Sequence, residues 1–146
     1  MADNKISPII REWMDVFMQR SMHGWMHYVK STGLSMPQFN ILMHIHYKGA
    51  CGLSEISDRF DISAAAASQL VDKLVNAGYL ERTEDLHDRR AKQLTLSISG
   101  ASLIKDGIEK RYLWMDHLAE NLSEYDQQTV SQTLTMLINA ATKMDQ

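Results

Sequence analysis

Apolar positions along the chain change their spacing twice, and the changes divide it into segments. Ile6, Ile9, Ile10, Trp13, Phe17, Met18 and Trp25 recur at mixed steps of three and four. That is the helical period, and it predicts a first helix over about 6–30, weakened toward its far end by Gly24. "STGLSMPQ" then punctuates: Gly33 can end the helix, Ser35 can cap the next, and Pro37 sits in its first turn. A second helix, about 36–47, carries Phe39, Leu42, Met43 and Ile45, after which "YKGACG" breaks the chain. In "LSEISDRF" the expected N-cap is Ser54, with Ile56 and Phe60 four apart as the buried stripe. After the turn "DIS", Ser63 caps a helix that buries Ala66, Ala67, Leu70, Val71 and Leu74 and ends at Gly78. Two short helices joined by a tight turn form a helix-turn-helix pattern.

Beyond Gly78 the period becomes two. "YLERTE" and "KQLTLSI" alternate and are rich in strand-forming residues, and "DLHDRRA" joins them into a hairpin. Gln93, Thr95 and Ser97 would face one way, and Leu94, Leu96 and Ile98 the other. A hairpin directly after a helix-turn-helix is a winged helix. The helical period then returns. Ser99 is the expected cap of a helix over about 100–121 with Leu103, Ile104, Ile108, Tyr112, Met115, Leu118 and Leu122 along one stripe. Ser123 with Asp126 opens a last helix carrying Val130, Leu134, Leu137, Ile138 and Ala141. The fold class is therefore mainly α with a small β-hairpin wing. Its terminal helices have more apolar face than a small winged domain can cover, which points to a partner subunit, most simply in a two-fold dimer.

Composition narrows the function more than the fold. The 146 residues suit one domain of ordinary size, with a normal balance of 45% apolar and 23% charged side chains. Ten methionines suit an adaptable core or a plastic, ligand-accepting interior. Net charge is −3, and residues 53–98 hold six basic against eight acidic side chains. Any nucleic-acid surface must then be local and not a global basic field. The single cysteine, Cys51, rules out an internal disulfide and suits the cytoplasm. No apolar run approaches the roughly 20 residues that cross a bilayer, so no membrane partner is expected. No nucleophile–base constellation, phosphate loop or paired-carboxylate motif stands at a recognisable spacing, so the chain is not expected to be an enzyme.

The order of elements resembles the MarR (multiple antibiotic resistance regulator) family of transcription factors. The likeness runs through nearly the whole chain and is most specific in "SQLVDKLVNAGYLERTEDLHDRRAKQLTLSISG", residues 68–100, preceded by the lead-in "LSEISDRFDIS". It implies a winged helix-turn-helix lobe over 35–99, hung from a helical dimerisation region formed by 1–34 and 100–146. It also implies a homodimer on a pseudo-palindromic site in double-stranded DNA, acting as a repressor; the acidic balance and the alanine-rich helix keep open a protein-interaction module in which the winged fold has lost DNA binding.

In such a lobe the second helix of the motif lies in the major groove. Ser63 and Ser68 can donate to phosphates or bases, Gln69 has the amide pair that grips adenine, and Lys73 meets phosphate or solvent. The alanines of "SAAAASQ" offer apolar contact at most, or are simply good helix formers. Many members have arginine near the position of Gln69, so base reading by this helix is expected to be sparse, with groove shape supplying the remainder. The resemblance matches Arg90 to the wing arginine that enters the minor groove and Asp88 to the carboxylate that steadies the wing. Arg89 and Lys92 would add phosphate contacts. A solvated turn with a local ion pair is the plainer account of the same cluster.

The resemblance further implies a small-molecule effector, of aromatic or phenolic type, that releases the protein from DNA. Trp13, Trp25, His27, Tyr28, Phe39 and Tyr112 are the side chains that could line its pocket, and they suit a dimer core equally well. Two other sensing modes are open to the composition. His23 and His27 lie four apart on one helical face, with His44, His46 and His117 as further imidazoles, but no Cys/His signature accompanies them, and no metal or cofactor is expected. Cys51, placed in an exposed loop, could respond to oxidants, although the peroxide-sensing branch of the family has its cysteine near the start of the first helix.

Overall fold

The computed structural model describes residues 6–84 and 92–145. In chain order the elements are α1 (Ile6–Ser31), α2 (Met36–Lys48), β1 (Cys51–Gly52), α3 (Leu53–Phe60), α4 (Ala64–Asn76), β2 (Leu80–Glu84), β3 (Lys92–Leu96), α5 (Ile98–Glu120) and α6 (Glu124–Thr142), with a closing 3-10 turn at Lys143–Asp145. The protein is mainly helical with one small antiparallel sheet in the order β1-β3-β2. It divides into two units, one ending at Arg111 and one beginning at Tyr112.

Start signals act largely as the sequence predicts. Ser35 and Gln38 form a reciprocal capping box at the head of α2, with Pro37 in its first turn. Ser63 accepts from the Ala66 amide at 3.1 Å, and Ser123 caps α6 through the Asp126 amide. Two caps stand earlier than expected. α3 starts at Leu53 behind Gly52, so Ser54 lies inside the helix and is not its cap. The reason is β1: Cys51 and Gly52 pair with Leu94 and Gln93, a third strand hidden in "YKGACG", and the chain leaves that strand directly into the helix. Likewise Ser97, not Ser99, caps α5, its Oγ accepting from the Gly100 amide at 3.0 Å. Ile98 therefore belongs to α5 and is 92% exposed, instead of extending the inward face of β3.

The first unit closes around Phe39, which is fully buried. Its ring takes the edge-to-face arrangement that aromatic quadrupoles favour, with Trp25 at 4.8 Å and Tyr28 at 6.1 Å. α5 comes close enough that a Cβ on Gly107 would lie 2.9 Å from the Tyr28 ring and 3.1 Å from that of Phe39. The Tyr28 hydroxyl donates to the Leu103 carbonyl at 2.9 Å, tying α1 to α5. Gly24 has a packing role of the same kind. A Cβ there would stand 2.8 Å from the Lys110 carbonyl oxygen, so the glycine lets α1 and α5 touch, and the helix runs on to Ser31. Val29, Ile41, Leu42, Ile45, Cys51, Ile56, Ala67, Val71, Leu74, Leu80, Leu94, Leu103 and Ile104 complete the core.

Much of the apolar stripe of α1 lies outside the core. Only Ser21, Trp25 and Val29 are buried on that helix, while Ile6, Ile9, Trp13, Met14 and Met18 are exposed. In the second unit α6 has no buried residue, and Tyr125, Met136 and Ile138 are each more than half exposed. Phe39→Ala should destabilise the protein by about 3–5 kcal/mol, because it deletes a fully buried ring of α2 that α1 and α5 close on. Denaturant unfolding followed by circular dichroism checks this, with a lower midpoint and an unchanged slope expected.

Candidate nucleic-acid interface

α3 and α4 are joined by a turn that the sequence makes sharp. Asp61 takes the left-handed conformation at φ 50°, one of the few non-glycine types that tolerate it. Its amide bonds back to the Asp58 carbonyl and that of Ile62 to Ser57. Across the turn, His44 on α2 and Glu55 on α3 are 3.1 Å apart, and the His44 ring stands edge-on to Phe60. The His44 contacts fasten α3 to α2, and the two backbone bonds close the turn from which α4 starts.

α4 then sorts its residues by face. Ala67, Val71 and Leu74 are buried against the core. Ser63, Ala64, Ala65, Gln69, Lys73 and Asn76 are exposed, and Ala66, Ser68, Leu70 and Asp72 are half-buried. Ala66 and Leu70, expected inside, thus lie at the edge of the buried stripe. Ala65, Gln69 and Lys73, at steps of four, form an outward ridge whose first turn is small enough for close approach by a groove. Ser63 uses an oxygen lone pair for its cap and keeps its O–H to donate.

The wing follows at once. Gly78, at φ 79°, ends α4, and β2 and β3 pair from Leu80↔Leu96 to Glu84↔Lys92. Lys92 is exposed at the far end of that ladder. Asp88, Arg89 and Arg90 lie outside the described residues. A contact that the sequence reading missed joins the two parts: Arg82 Nη2 on β2 donates to Asp72 Oδ1 on α4. Its signal was present in the strand pattern. Arg82 shares a face with Leu80, two residues before it, and a cation on the core-facing register calls for a counter-charge.

Of the side chains assigned to an effector pocket, Trp25, Tyr28 and Phe39 meet in the aromatic cluster already described, where burial and the Asp106 carboxylate push the Tyr28 phenol up and keep it a neutral donor. Trp13 and His27 are exposed on α1, and Tyr112 belongs to the second unit. An open groove in the first unit lies between α2 and α3, lined by Met43, His44, Tyr47, Lys48, Glu55 and Arg59 among others. No group of three or more metal-capable side chains comes together among the described residues. No helix there is long and apolar enough to cross a membrane.

Cys51 is not in an exposed loop. It is 2% exposed in β1, and burial, with Glu55 nearby, pushes its thiol up to about 11 from an ordinary value of 9.0. The neutral thiol is therefore favoured by folding, and this contribution is present below about pH 9 and lost as the pH rises through about 11. At pH 8 iodoacetamide should leave native Cys51 essentially unmodified over a period in which the urea-unfolded chain is fully alkylated, as intact mass would record.

Helix-turn-helix, three-stranded wing sheet and capped outward helix together define a winged helix-turn-helix protein. Residues 34–92 match the model of the MarR family. Over 107 residues the chain is 28% identical to an uncharacterized HTH-type transcriptional regulator of Bacillus subtilis (strain 168), YfiV, covering 73% of this chain and about two-thirds (67%) of that relative. The crystal structure of transcriptional regulator Tm0710 from Thermotoga maritima superposes with a TM-score of 0.80 at 24% identity, covering 97% of this chain and 96% of that one. A point mutant of S. aureus MepR, solved bound to an oligodeoxyribonucleotide, gives a TM-score of 0.66 at 18% identity, covering 94% of this chain and 98% of that one. Residues 34–92 are thus similar to the MarR family, and the winged helix-turn-helix fold is shared with the Thermotoga maritima structure over almost the whole chain.

Proposed function

We propose that the protein is a DNA-binding transcriptional regulator that acts as a homodimer and represses from a pseudo-palindromic operator. The observation that carries this is the face of α4. Its inward residues make the core, and its outward ridge of Ala65, Gln69 and Lys73 stands beside a paired wing ladder. Gln69 is assigned to base edges, Ser63, Ser68 and Lys73 to phosphates and bases at the groove wall, and Arg89, Arg90 and Lys92 to the adjacent backbone and minor groove, with Asp88 steadying the wing. The DNA in the MepR complex supports the same use of a similar fold.

The segments 1–34 and 100–146 are assigned to dimerisation. Exposed Ile6, Ile9 and Met14 on α1 and exposed Tyr125, Leu134, Met136 and Ile138 on α6 are the kind of apolar surface a second copy covers. Two lobes related by a two-fold axis need a palindromic site. Repression needs only occupancy of such a site, whereas activation needs a further surface for polymerase. Release by an aromatic carboxylate or phenol is the regulatory step we assign, with Trp13, Trp25, His27, Tyr28, Phe39 and Tyr112 as the candidate lining; the close packing of Trp25, Tyr28 and Phe39 means that a ligand there would have to displace edge-to-face ring contacts.

Fluorescence anisotropy with the duplex upstream of the protein's own gene, at two salt concentrations, tests this reading. Wild type should bind with an affinity that falls steeply with salt, because neutralised phosphates release counterions. Arg90→Ala should weaken binding by about 1–3 kcal/mol while its melting temperature stays at the wild-type value. Gln69→Ala should lower affinity for this duplex more than for a random one, and equal losses on both would contradict its assignment to base edges.

A further inference from the structure

We infer that the Asp72–Arg82 ion pair locks the wing to the reading helix, so that Arg82 is a positioning residue for DNA recognition and not a phosphate contact. The inference rests on the DNA-binding function proposed above. β2 and β3 pair with Leu80 opposite Leu96 and Arg82 opposite Leu94, and residues directly opposite share a face. Leu80 and Leu94 are both 2% exposed, so the shared face is the one turned to the core. Arg82 is thus a cation on the inner face of β2, just where the strand leaves the core, and its guanidinium reaches across to Asp72 on α4. Asp72 meets it from the outward half of α4, three residues after Gln69 and next to Lys73.

The value of this contact is geometric. Both side chains are more than a third exposed, 38% and 49%, and a pair so placed contributes little to global stability. The wing ladder, however, is held at its root. The Ser97 amide donates to the Tyr79 carbonyl at 3.1 Å, the Ser97 hydroxyl donates to the Gly78 carbonyl, and Leu80 is sunk in the core. β3 is steadied on its other edge by β1, but β2 is an edge strand. An attachment at the root alone leaves a hinge there. A second one, two residues further out and running to α4, fixes the direction in which the ladder leaves the helix. Recognition by helix and wing together requires that direction to match the offset between a major groove and the neighbouring minor groove. If Arg82 turned to phosphate instead, Asp72 would be left as an uncompensated carboxylate facing the DNA backbone.

The test uses the full chain and the variants Asp72→Asn, Arg82→Gln and the double substitution, with two readouts. In the free protein, amide hydrogen exchange of the β2–β3 ladder should quicken by about three- to fivefold in each single variant and no further in the double, because either loss removes the same pair. The amides of α2 around Phe39 should keep their wild-type rates, which separates a loosened wing from general destabilisation. Asp72→Glu, which retains the carboxylate, should bring ladder exchange back toward wild type. On DNA, the ratio of affinity for the upstream duplex to that for random duplex should fall by about the same three- to fivefold in both single variants. The dependence of Arg82→Gln on salt should keep the wild-type slope. Ladder exchange unchanged in both single variants, additive effects in the double, or no recovery with Asp72→Glu would overturn the inference. So would a salt slope reduced by about one in Arg82→Gln, which would make Arg82 a phosphate contact. Should wild type bind no duplex at all, the proposed function falls, while ladder exchange still decides whether the pair holds the wing.

Discussion

Much of what this protein presents depends on one close approach. A Cβ on Gly100 would lie 2.1 Å from the carbonyl oxygen of Tyr79, far inside any contact distance, so only glycine lets the first turn of α5 rest on the turn that ends α4. Around that point Ser97 caps α5, takes the Tyr79 carbonyl with its amide and the Gly78 carbonyl with its hydroxyl. The end of α4, the root of both wing strands and the start of α5 are thereby gathered into one joint. The pairing register of β2 and β3 starts from it, and so does the inward direction of Leu80, which carries the sheet into the core.

That joint also shows what was legible in the sequence and what was not. The helical stripes, the Ser35, Ser63 and Ser123 caps and the stop at Gly78 could be read because each is a local signal with a local cause. The winged helix itself followed from their order. β1 could not be read, since two residues have no period, and Cys51–Gly52 becomes a strand only because β3 offers it an edge. The shift of the α5 cap from Ser99 to Ser97 has the same origin: both serines are good caps, and the tertiary bond from Ser97 to the Gly78 carbonyl decides between them. Gly24 and Gly100 look alike as helix-weakening residues until the neighbouring backbone that needs their missing Cβ is seen.

The candidate interface was legible to a similar depth. Ser63, Gln69 and Lys73 fall on the outward side of α4 because its inward side is set by Ala67, Val71 and Leu74, a pattern the sequence already shows. Arg82 was passed over because a single arginine in "YLERTE" looks like an ordinary polar position of an alternating strand. Its two-residue step from Leu80 already hinted at the inner face, and the register against Leu94 places it there. The exposed-loop placement of Cys51 failed for the reason β1 was missed, and burial then turns a would-be thiolate into an inert thiol.

Charge and shape pull the proposed function in one direction. The lobe is not a basic body, and its outward helix opens with three small side chains, Ala64, Ala65 and Ala66, before it offers an amide at Gln69. A helix built that way can sit deep in a groove but can name few bases, since alanine makes no hydrogen bond to a base edge. Discrimination must then come from where other contacts fall relative to the helix, and from how readily a given sequence adopts the width those contacts need. Such a reader gains nothing from a mobile wing, because shape is measured only between points held at a fixed separation. The pairing of Arg82 with Asp72 removes one positive and one negative charge from the general field and converts them into a fixed direction. In a mildly acidic protein with few cations to aim at phosphate, holding the remaining ones in place does more for selectivity than adding to their number would.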